Sequence, residues 1–350
     1  MTEAPLRVVV ATPLPDDLCA LVREREPRLE LVVDQSLLPP KRWAADYEGD
    51  PAWSRTPAQQ AAFDALLDSA DVLYGIPDVR PAALRRAVRA NPRLRWVQVM
   101  AAGGGAQVKA AGLTAEELRR VAFTTSAGVH AGPLAEFAVF GLLAGAKHLP
   151  RLQELKARRE WAGRWPMEQI SDATVLVLGL GGIGSAVADK LVALGARVYG
   201  VAREATAVDG IARVLGPDEL PEVIGEVDAI VNTLPGTAAT ERLLSADLLA
   251  AVRPGVTLAS VGRGTVIDED ALVDALRDGR VGFAALDVFA VEPLPQDSPL
   301  WTLPNVVIAP HTAGNSDHEE RLVAELFLDN ARRFIDGEPM RNVVDTVEFY

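Results

Sequence analysis

Short apolar runs alternate along the chain with longer segments in which apolar residues recur every three or four positions. The runs are typical of strands buried on both faces of a parallel sheet, and the longer segments are typical of helices that pack on one side. Their alternation predicts an open, largely parallel α/β fold. We predict strands over residues 6–12, 29–33, 70–74, 94–99, 123–126, 175–178, 197–201, 228–233, 256–261, 282–286 and 306–308.

Helical periodicity predicts helices over residues 16–25, 58–68, 81–89, 185–194, 268–278 and 316–336. A longer helix is predicted from Pro133 to about Arg159, and its wide apolar face indicates burial within a domain or against a second subunit. Residues 38–57 are irregular and predict a long surface loop. The aromatic residues of this loop, Trp43, Tyr47 and Trp53, either cover a ligand or only hold the loop in place.

The sequence around residues 174–188 shows how the second half of the chain is organised. A buried strand leads into Gly179-Leu180-Gly181-Gly182-Ile183-Gly184, which fits G-x-G-x-x-G, and a helix follows. In a dinucleotide site the first glycine allows a tight turn, the second lets the backbone approach a pyrophosphate and the third lets the helix pack on the strand. An ordinary strand-to-helix turn is the alternative.

Two blocks of alternating strands and helices indicate two domains, as the length of 350 residues also suggests. We expect two Rossmann-like or flavodoxin-like domains with parallel sheets and a cleft between them. The predicted substrate (catalytic) domain is 1–122 plus 314–350, because the last helix can return to the first block. The predicted dinucleotide-binding domain is 123–313.

The charge and the residue content of the chain argue against several classes of binding partner. The formal net charge of −13 argues against nucleic acid and against an anionic membrane surface. No apolar run approaches the ~20 residues of a spanning helix, and the N-terminus has no basic signal-peptide region. The single cysteine, Cys19, cannot form an internal disulfide, so we expect a cytoplasmic location.

Three residues in the second block are candidates for chemistry. Arg263 lies between two glycines after a strand, where its guanidinium is free to bind a carboxylate or to form a structural salt bridge. His311 follows a strand and is either a proton donor or a buried core residue. Glu292 lies in an apolar setting, and pairing with His311 would favour the imidazolium.

The remaining histidines and the serines indicate no further chemistry. His148 is expected at the end of the long helix and His318 at the exposed start of the last one. No pair of histidines or carboxylates has metal-ligand spacing, so no metal is expected. No serine lies in G-x-S-x-G.

Several motifs resemble the D-isomer-specific 2-hydroxyacid dehydrogenases in order and spacing. They are the glycine turn, SVGRG at 260–264 with VIDEDAL at 266–272, LDVFAVEPL at 286–294, NVVIAPHTA at 305–313 and GVHA at 128–131. The resemblance covers the chain from about Leu94 onward. It implies a reductase in which His311 protonates the ketone oxygen, Arg263 holds the carboxylate and Glu292 keeps His311 protonated. His130 then corresponds to a position near the domain hinge.

The resemblance also implies binding residues. Backbone N–H groups of Ala102, Gly103 and Gly104 would bind the substrate carboxylate, although the family has a larger and then an acidic residue at Gly104 and Gly105. The implied cofactor contacts, beyond Gly179, Gly181, Gly182, Ile183 and Gly184, are Ala202, Arg203, Thr233, Leu234, Pro235, Val261, Gly262, Asp287 and His311. A homodimer through the long helix is implied as well.

The choice of cofactor depends on the end of the second strand of this block. The acidic residue of NAD-specific family members aligns with Ala202, and Arg203 follows where it can pair with a 2′-phosphate. Glu204 could still reach the ribose. We therefore expect NADP(H) to be favoured, with NAD(H) possible.

The expected function is D-2-hydroxyacid dehydrogenase activity, the reduction of a 2-oxoacid of the glyoxylate or hydroxypyruvate kind with NAD(P)H. Glu292 argues against formate dehydrogenase activity, because those relatives lack this acid. The alternative is a nucleotide-sensing binding protein, like the corepressors built on this fold.

Overall fold

A computed structural model describes residues 5–347 and residue 349. The chain divides into two compact units, Met1–His130 with Asn315–Tyr350 and Ala131–Gly314. We call them the first and the second unit.

The first unit contains a five-stranded parallel sheet with strand order β2-β1-β3-β4-β5. Its strands are β1 (Leu6–Val10), β2 (Leu29–Val32), β3 (Val72–Tyr74), β4 (Trp96–Gln98) and β5 (Ala122–Thr124). β5 pairs with β4, so the strand expected to open the second domain belongs instead to the first sheet. The division after His130 therefore lies further along the chain than the expected boundary at 122/123.

Five helices of the first unit follow its strands. They are α1 (Asp16–Arg25), α2 (Pro57–Asp68), α3 (Pro81–Ala90), α4 (Gly105–Ala110) and α5 (Ala115–Arg120). α2 and α5 begin at capping boxes, in which Thr56 pairs with Gln59 and Thr114 pairs with Glu117. Cys19 of α1 is buried, and its Sγ lies 3.8 Å from the Leu14 carbonyl oxygen.

The loop at 38–57 is anchored by charged side chains of the first unit. Arg55 Nη1 lies 2.8 Å from Asp78, Arg42 Nε lies 2.7 Å from Asp46, and Lys41 Nζ lies 2.8 Å from Glu320. The predicted surface loop is thus fixed at several points. Of its aromatic residues, Tyr47 packs against the core of the first unit and Trp53 lies against Arg55, whereas Trp43 is exposed.

The second unit contains a seven-stranded parallel sheet with strand order β12-β11-β10-β9-β6-β7-β8. Its strands are β6 (Thr174–Leu178), β7 (Arg197–Val201), β8 (Arg213–Leu215), β9 (Ala229–Asn232), β10 (Val256–Ser260), β11 (Val281–Leu286) and β12 (Val306–Ile308). The winding direction reverses between β6 and β9. In such sheets ligands bind beyond the carboxyl ends of the strands at this reversal.

The helices of the second unit correct one prediction. They are α6 (Ala131–Ala146), α7 (Leu149–Arg158), α8 (Gly182–Ala193), α9 (Leu220–Val223), α10 (Ala246–Ala251) and α11 (Glu269–Arg277). The single long helix from Pro133 to Arg159 is wrong, because the chain turns at His148, whose φ is 52°. Pro150 has no N–H to donate and clashes with the preceding turn, so α6 cannot continue through it.

The last helix, α12 (Glu319–Asp336), returns to the first unit, as the sequence predicts. Phe327 stacks on Trp96 of β4 with ring centroids 5.0 Å apart. The predicted fold class of two parallel-sheet α/β domains is confirmed. Within residues 5–347 and 349, no helix is both long and apolar enough to cross a membrane.

Candidate active site

The glycine turn after β6 has the geometry that its three glycines require. Gly179 has φ 93°, a conformation that side chains other than glycine rarely adopt. A Cβ on Gly184 would lie 1.8 Å from the Gly179 carbonyl oxygen, so only glycine lets α8 approach the strand this closely. A Cβ on Gly181 would meet nothing within 4 Å. The space beside Gly181 is therefore open, and in this motif the second glycine is the one that a pyrophosphate approaches.

The start of α8 completes this cradle. The helix begins at Gly182, three residues before the predicted start at 185, so Gly182 and Ile183 form its first turn. Thr233 of the loop after β9 donates its hydroxyl to the carbonyl oxygens of Leu178 and Gly179, both at 2.9 Å. The turn is therefore held rigidly, and free N–H groups of the first helical turn fit an anionic phosphate.

The end of β7 carries the residues expected to select the cofactor. Ala202 continues the sheet edge through a backbone hydrogen bond to Leu215 at 3.0 Å. Arg203 and Glu204 are exposed. In the described part of the chain, no acidic side chain lies within ion-pair distance of Arg203. Its guanidinium is thus available to an external anion.

Arg263 follows β10 between two glycines that allow neighbouring loops to touch. A Cβ on Gly262 would lie 2.4 Å from the Leu234 carbonyl oxygen, and one on Gly264 would lie 2.0 Å from the Phe289 carbonyl carbon. The glycines therefore serve close loop packing rather than only leaving Arg263 uncovered. Arg263 donates from Nη1 to the Gly262 carbonyl oxygen at 2.8 Å. Among the described residues it has no carboxylate partner, so it is not a structural salt bridge.

His311 and Glu292 form a direct pair, with Nδ1 of the ring 2.7 Å from Oε2 of the carboxylate. The other carboxylate oxygen accepts the Phe289 N–H at 2.9 Å. Burial by itself would raise the pKa of Glu292, but its hydrogen bonds to His311 and Phe289 lower it below the usual value. The His311 side chain is 48% exposed, which excludes a buried core histidine.

Asp287, at the end of β11, organises the segment that carries His311. Its Oδ1 accepts the N–H groups of Thr312 and Ala313 at 2.8 and 2.9 Å, and its carbonyl oxygen accepts the His311 N–H at 3.0 Å. His311 itself has φ 52°. Burial raises the pKa of Asp287. Its Oδ2 is buried without a donor in the described structure, which fits a ligand that supplies an amide N–H.

The expected carboxylate-binding loop lies in the first unit, after β4. The Gly104 N–H donates to the Ala101 carbonyl oxygen at 3.3 Å. Within the described residues, the N–H groups of Ala102 and Gly103 have no protein acceptor, so they remain available. A Cβ on Gly104 would lie 2.3 Å from Val99 Cγ1, so a side chain at this position would have to displace Val99.

The second unit gathers most of the predicted site at the carboxyl edge of its sheet. The loops there carry Val261, Gly262, Arg263, Asp287, Glu292 and His311, together with Thr233, Leu234 and Pro235. The residues Ala102, Gly103 and Gly104 belong to the first unit. Sequence reasoning missed Glu269, whose carboxylate accepts the Ala290 N–H at 2.9 Å and steadies the loop of Glu292.

The other histidines have separate partners. His130 pairs with Glu319 at 3.1 Å, and His148 pairs with Glu168 at 2.9 Å. His318 is exposed, as predicted. Over the described residues, no group of three His, Cys, Asp or Glu side chains could hold a metal ion.

A family model described as "D-isomer specific 2-hydroxyacid dehydrogenase, NAD binding domain" matches residues 139–313 of the 350 in the chain. The match includes the glycine turn and the segments that carry Arg263, Glu292 and His311. It therefore covers the part of the chain in which the structure places the candidate chemistry.

Individual relatives and solved structures agree with this match. Glyoxylate reductase of Korarchaeum cryptofilum is 31% identical over 73% of this chain and 77% of its own length. Glyoxylate/hydroxypyruvate reductase B of Pectobacterium atrosepticum is 37% identical over 58% of this chain and 65% of its own length. A solved D-isomer specific 2-hydroxyacid dehydrogenase of Xanthobacter autotrophicus, in complex with NADPH and MES, superposes with a TM-score of 0.76 at 28% identity. That superposition covers 99% of this chain and 100% of the solved one.

Proposed function

The chain belongs to the D-isomer-specific 2-hydroxyacid dehydrogenase family, and from this premise we propose that it reduces a small 2-oxoacid with NAD(P)H. The second unit would bind the dinucleotide, and the first unit would supply the substrate (catalytic) domain. The observation that carries the proposal is the His311–Glu292 pair at 2.7 Å, at the edge of the sheet that bears the glycine turn. The reductases among its relatives support glyoxylate or hydroxypyruvate as substrates.

Each residue has a defined task in this reaction. When bound, the nicotinamide supplies the hydride. The ring of His311 is held through Nδ1 by Glu292, so Nε2 is left to give a proton to the oxygen of the ketone. Arg263 binds the carboxylate through its planar guanidinium. In the first unit, the free N–H groups of Ala102 and Gly103 can bind an anion. These interactions orient the substrate and stabilise the charge that develops on its oxygen.

Mixing the protein with NADPH and a panel of 2-oxoacids tests the proposal. The panel contains glyoxylate, hydroxypyruvate, a branched 2-oxoacid and a phosphorylated one, and the absorbance of the reduced nicotinamide is followed. We expect turnover of glyoxylate or hydroxypyruvate. Tight NADPH binding without turnover of any member would contradict the enzyme and favour a nucleotide-sensing role.

We also propose that NADPH is preferred over NADH. Arg203 has no acidic partner in the described structure, and Ala202 leaves no carboxylate to repel a 2′-phosphate. The NADPH complex of the Xanthobacter autotrophicus relative supports this choice. The ratio of kcat/KM for the two cofactors tests it in the wild type and in Arg203→Ala. The wild type should prefer NADPH and the variant should lose that preference. Arg277→Ala, which removes an exposed arginine of α11, is the matched control.

A homodimer is proposed from the outer faces of α6, α7 and α8. Phe140, Leu152 and Leu194 are exposed apolar residues that line one groove there. Trp161, just beyond α7, is fully exposed. Covering such residues with a second copy removes apolar surface from water. Sedimentation should show about twice the 37.3 kDa of one chain, and Phe140→Glu should dissociate the dimer. A monomeric wild type at micromolar concentration contradicts it.

We place the protein in the cytoplasm, because its one cysteine is buried and unpaired. Fractionation of the source cells tests this location.

A further inference from the structure

Asn232, the last residue of β9, is a fully buried polar side chain to which the proposed reaction assigns no task. It lies between the loop that begins at Thr233 and the loop that carries Arg263. A buried amide has to satisfy both its oxygen and its N–H₂ group, so its partners show which parts of the structure it joins.

The amide of Asn232 joins three loop positions. Its Oδ1 accepts the Leu234 N–H at 3.1 Å. Its Nδ2 donates to Ser260 Oγ at 3.0 Å and to the carbonyl oxygen of Arg263 at 3.1 Å. One side chain thus fixes the first turn of the loop after β9 and the backbone of the arginine after β10.

The main chain of Asn232 strengthens the same junction. Its carbonyl oxygen accepts the N–H groups of Val261 and Gly262 at 3.0 and 3.1 Å. No space is left between the loops, since a Cβ on Gly262 would lie 2.7 Å from the Leu234 nitrogen. The two loops are therefore in direct contact at Asn232.

The orientation of the Arg263 side chain depends on this junction between the two loops. The only hydrogen bond that the described structure gives its guanidinium goes to Gly262, its own neighbour. Among residues 5–347 and 349, no distant side chain forms a hydrogen bond or an ion pair with the arginine, so the position of its backbone governs where the guanidinium points. The hydrogen bond from Asn232 is the side-chain contact that holds this backbone.

We propose that Asn232 is a positioning residue that sets the guanidinium of Arg263 for the substrate carboxylate through the Arg263 carbonyl group. The inference rests on the proposed function. It adds that substrate recognition depends on a buried amide that touches neither substrate nor cofactor.

Asn232→Asp separates this role from general support. The carboxylate can still accept the Leu234 N–H, and the Ser260 hydroxyl can turn to donate to it. It cannot donate to the Arg263 carbonyl oxygen, and two acceptors then face each other. The substitution thus breaks the link to Arg263 and keeps the link to the loop after β9.

Two control variants measure the effects that do not depend on the hydrogen bond between Asn232 and Arg263. Ser260→Ala removes one partner of Asn232 and leaves its bond to Arg263. Asn305→Asp repeats the substitution just before β12, at the amino end of the strands. Asn305 Nδ2 donates to the carbonyl oxygens of Leu276 and Gly282 at 3.1 and 3.3 Å. Asn305 is half-buried, so any loss that follows only from putting a carboxylate in place of a hydrogen-bonded amide should appear in Asn305→Asp as well.

The expected kinetic result is a split between substrate and cofactor. In Asn232→Asp, kcat/KM for glyoxylate should fall by about 100-fold, mostly through KM, since a misplaced binding group costs about that much. The dissociation constant for NADPH, measured by fluorescence, should stay near the wild-type value. In an Arg263→Ala background, Asn232→Asp should have no further effect on KM, because the two residues act in series.

Hydrogen exchange gives a readout that does not need turnover. Amides of residues 261–266 should exchange faster in Asn232→Asp than in the wild type or Asn305→Asp, while the amides of Thr233 and Leu234 stay protected by their hydrogen bonds. Equal losses of NADPH affinity, stability and kcat/KM in Asn232→Asp and Asn305→Asp would overturn the proposal. If the wild type reduced no 2-oxoacid, the proposed function would fail, and unchanged exchange at 261–266 would separately reject the role of Asn232.

Discussion

The two units each contain a buried or half-buried histidine–glutamate pair, and the two pairs are built differently. In the second unit His311 turns Nδ1 toward Glu292 at 2.7 Å, and the side chains are 48% and 34% exposed. In the first unit His130 turns Nε2 toward Glu319 at 3.1 Å, and the side chains are 15% and 6% exposed. The partners are of the same type, but only one pair is open to solvent.

The surroundings explain the difference. Nδ1 of His130 is buried and, in the described structure, has no hydrogen-bond partner. Burial raises the pKa of the nearby Tyr47, and the charges around it, including Glu319, raise it further. A histidine enclosed in this way has no route for a proton to an external molecule. The contact with a carboxylate is therefore not enough to identify a catalytic histidine; its second nitrogen must also be reachable.

The largest expected effect comes from removing the imidazole of each histidine–glutamate pair in a separate variant. His311→Ala should lower kcat by about 10²–10⁴-fold, the range that general acid catalysis contributes, and leave NADPH binding intact. His130→Ala removes the same ring from the enclosed pair and should keep kcat near the wild-type value. Steady-state kinetics on both variants decides, and a similar fall of kcat in both would remove the distinction between the pairs.

The effect on the free energy of unfolding should be larger for His130→Ala than for His311→Ala, the reverse of the effect on kcat. His130→Ala leaves the carboxylate of Glu319 buried without its partner, and breaking a buried pair costs about 3 kcal/mol. His311→Ala opens a half-exposed pair, which contributes ~0.5 kcal/mol. Urea unfolding of the two variants measures both effects. The contrast does not hold if His311→Ala proves the less stable variant.

The role of Glu292 is visible in the rate. Glu292→Gln keeps the oxygen that accepts the Phe289 N–H and replaces the carboxylate oxygen that lies 2.7 Å from His311 Nδ1. A hydrogen bond to a charged group contributes about 1.5 kcal/mol, so kcat should fall about tenfold when it is lost. Glu319→Gln, the control, should leave kcat unchanged. An unchanged kcat in Glu292→Gln would argue against the assignment.

The smallest expected effect is a pH dependence of stability. The pKa of Glu292 is lower in the folded protein than the ordinary value of a glutamate, so this group stabilises the fold above that ordinary pKa. Its contribution is lost as the pH falls through the lowered value. The raised pKa of Asp287 acts in the opposite direction, so stability decreases as the pH rises through its titration. Urea midpoints of Glu292→Gln and Asp287→Asn between pH 3 and 7 separate the two signs.

Much of the fold could be predicted, because local patterns determine it. The apolar run at Val306–Ile308 and the amphipathic segment at Asp16–Arg25 have the bounds predicted for them. The break at His148 was missed because the apolar face continues across it and outweighed the proline signal at Pro150. The membership of β5 in the first sheet was missed because a three-residue apolar run does not show whether it pairs with the strand before it or with the strand after it.

The candidate site also contains residues that the sequence could predict and contacts that only the structure shows. The resemblance to the family located Arg263, Glu292 and His311, and the structure brings the last two into contact. Sequence could not show that His130 meets Glu319, since this contact exists only because α12 returns to the first unit. The tasks of Gly262 and Gly264 were also misjudged, because they depend on loops that pack from other strands.

One buried thiol has a practical consequence for studying the molecule. Cys19 is the only cysteine of the chain, and burial raises its pKa to about 11. The thiolate is the form that reacts with maleimide dyes, so this residue should stay unlabelled at neutral pH. Glu24 on α1 and Asp247 on α10 are exposed, one in each unit. Cysteines placed at these two positions would accept a donor and an acceptor dye, and energy transfer between them would follow the separation of the units as ligands bind, with no native thiol to remove first.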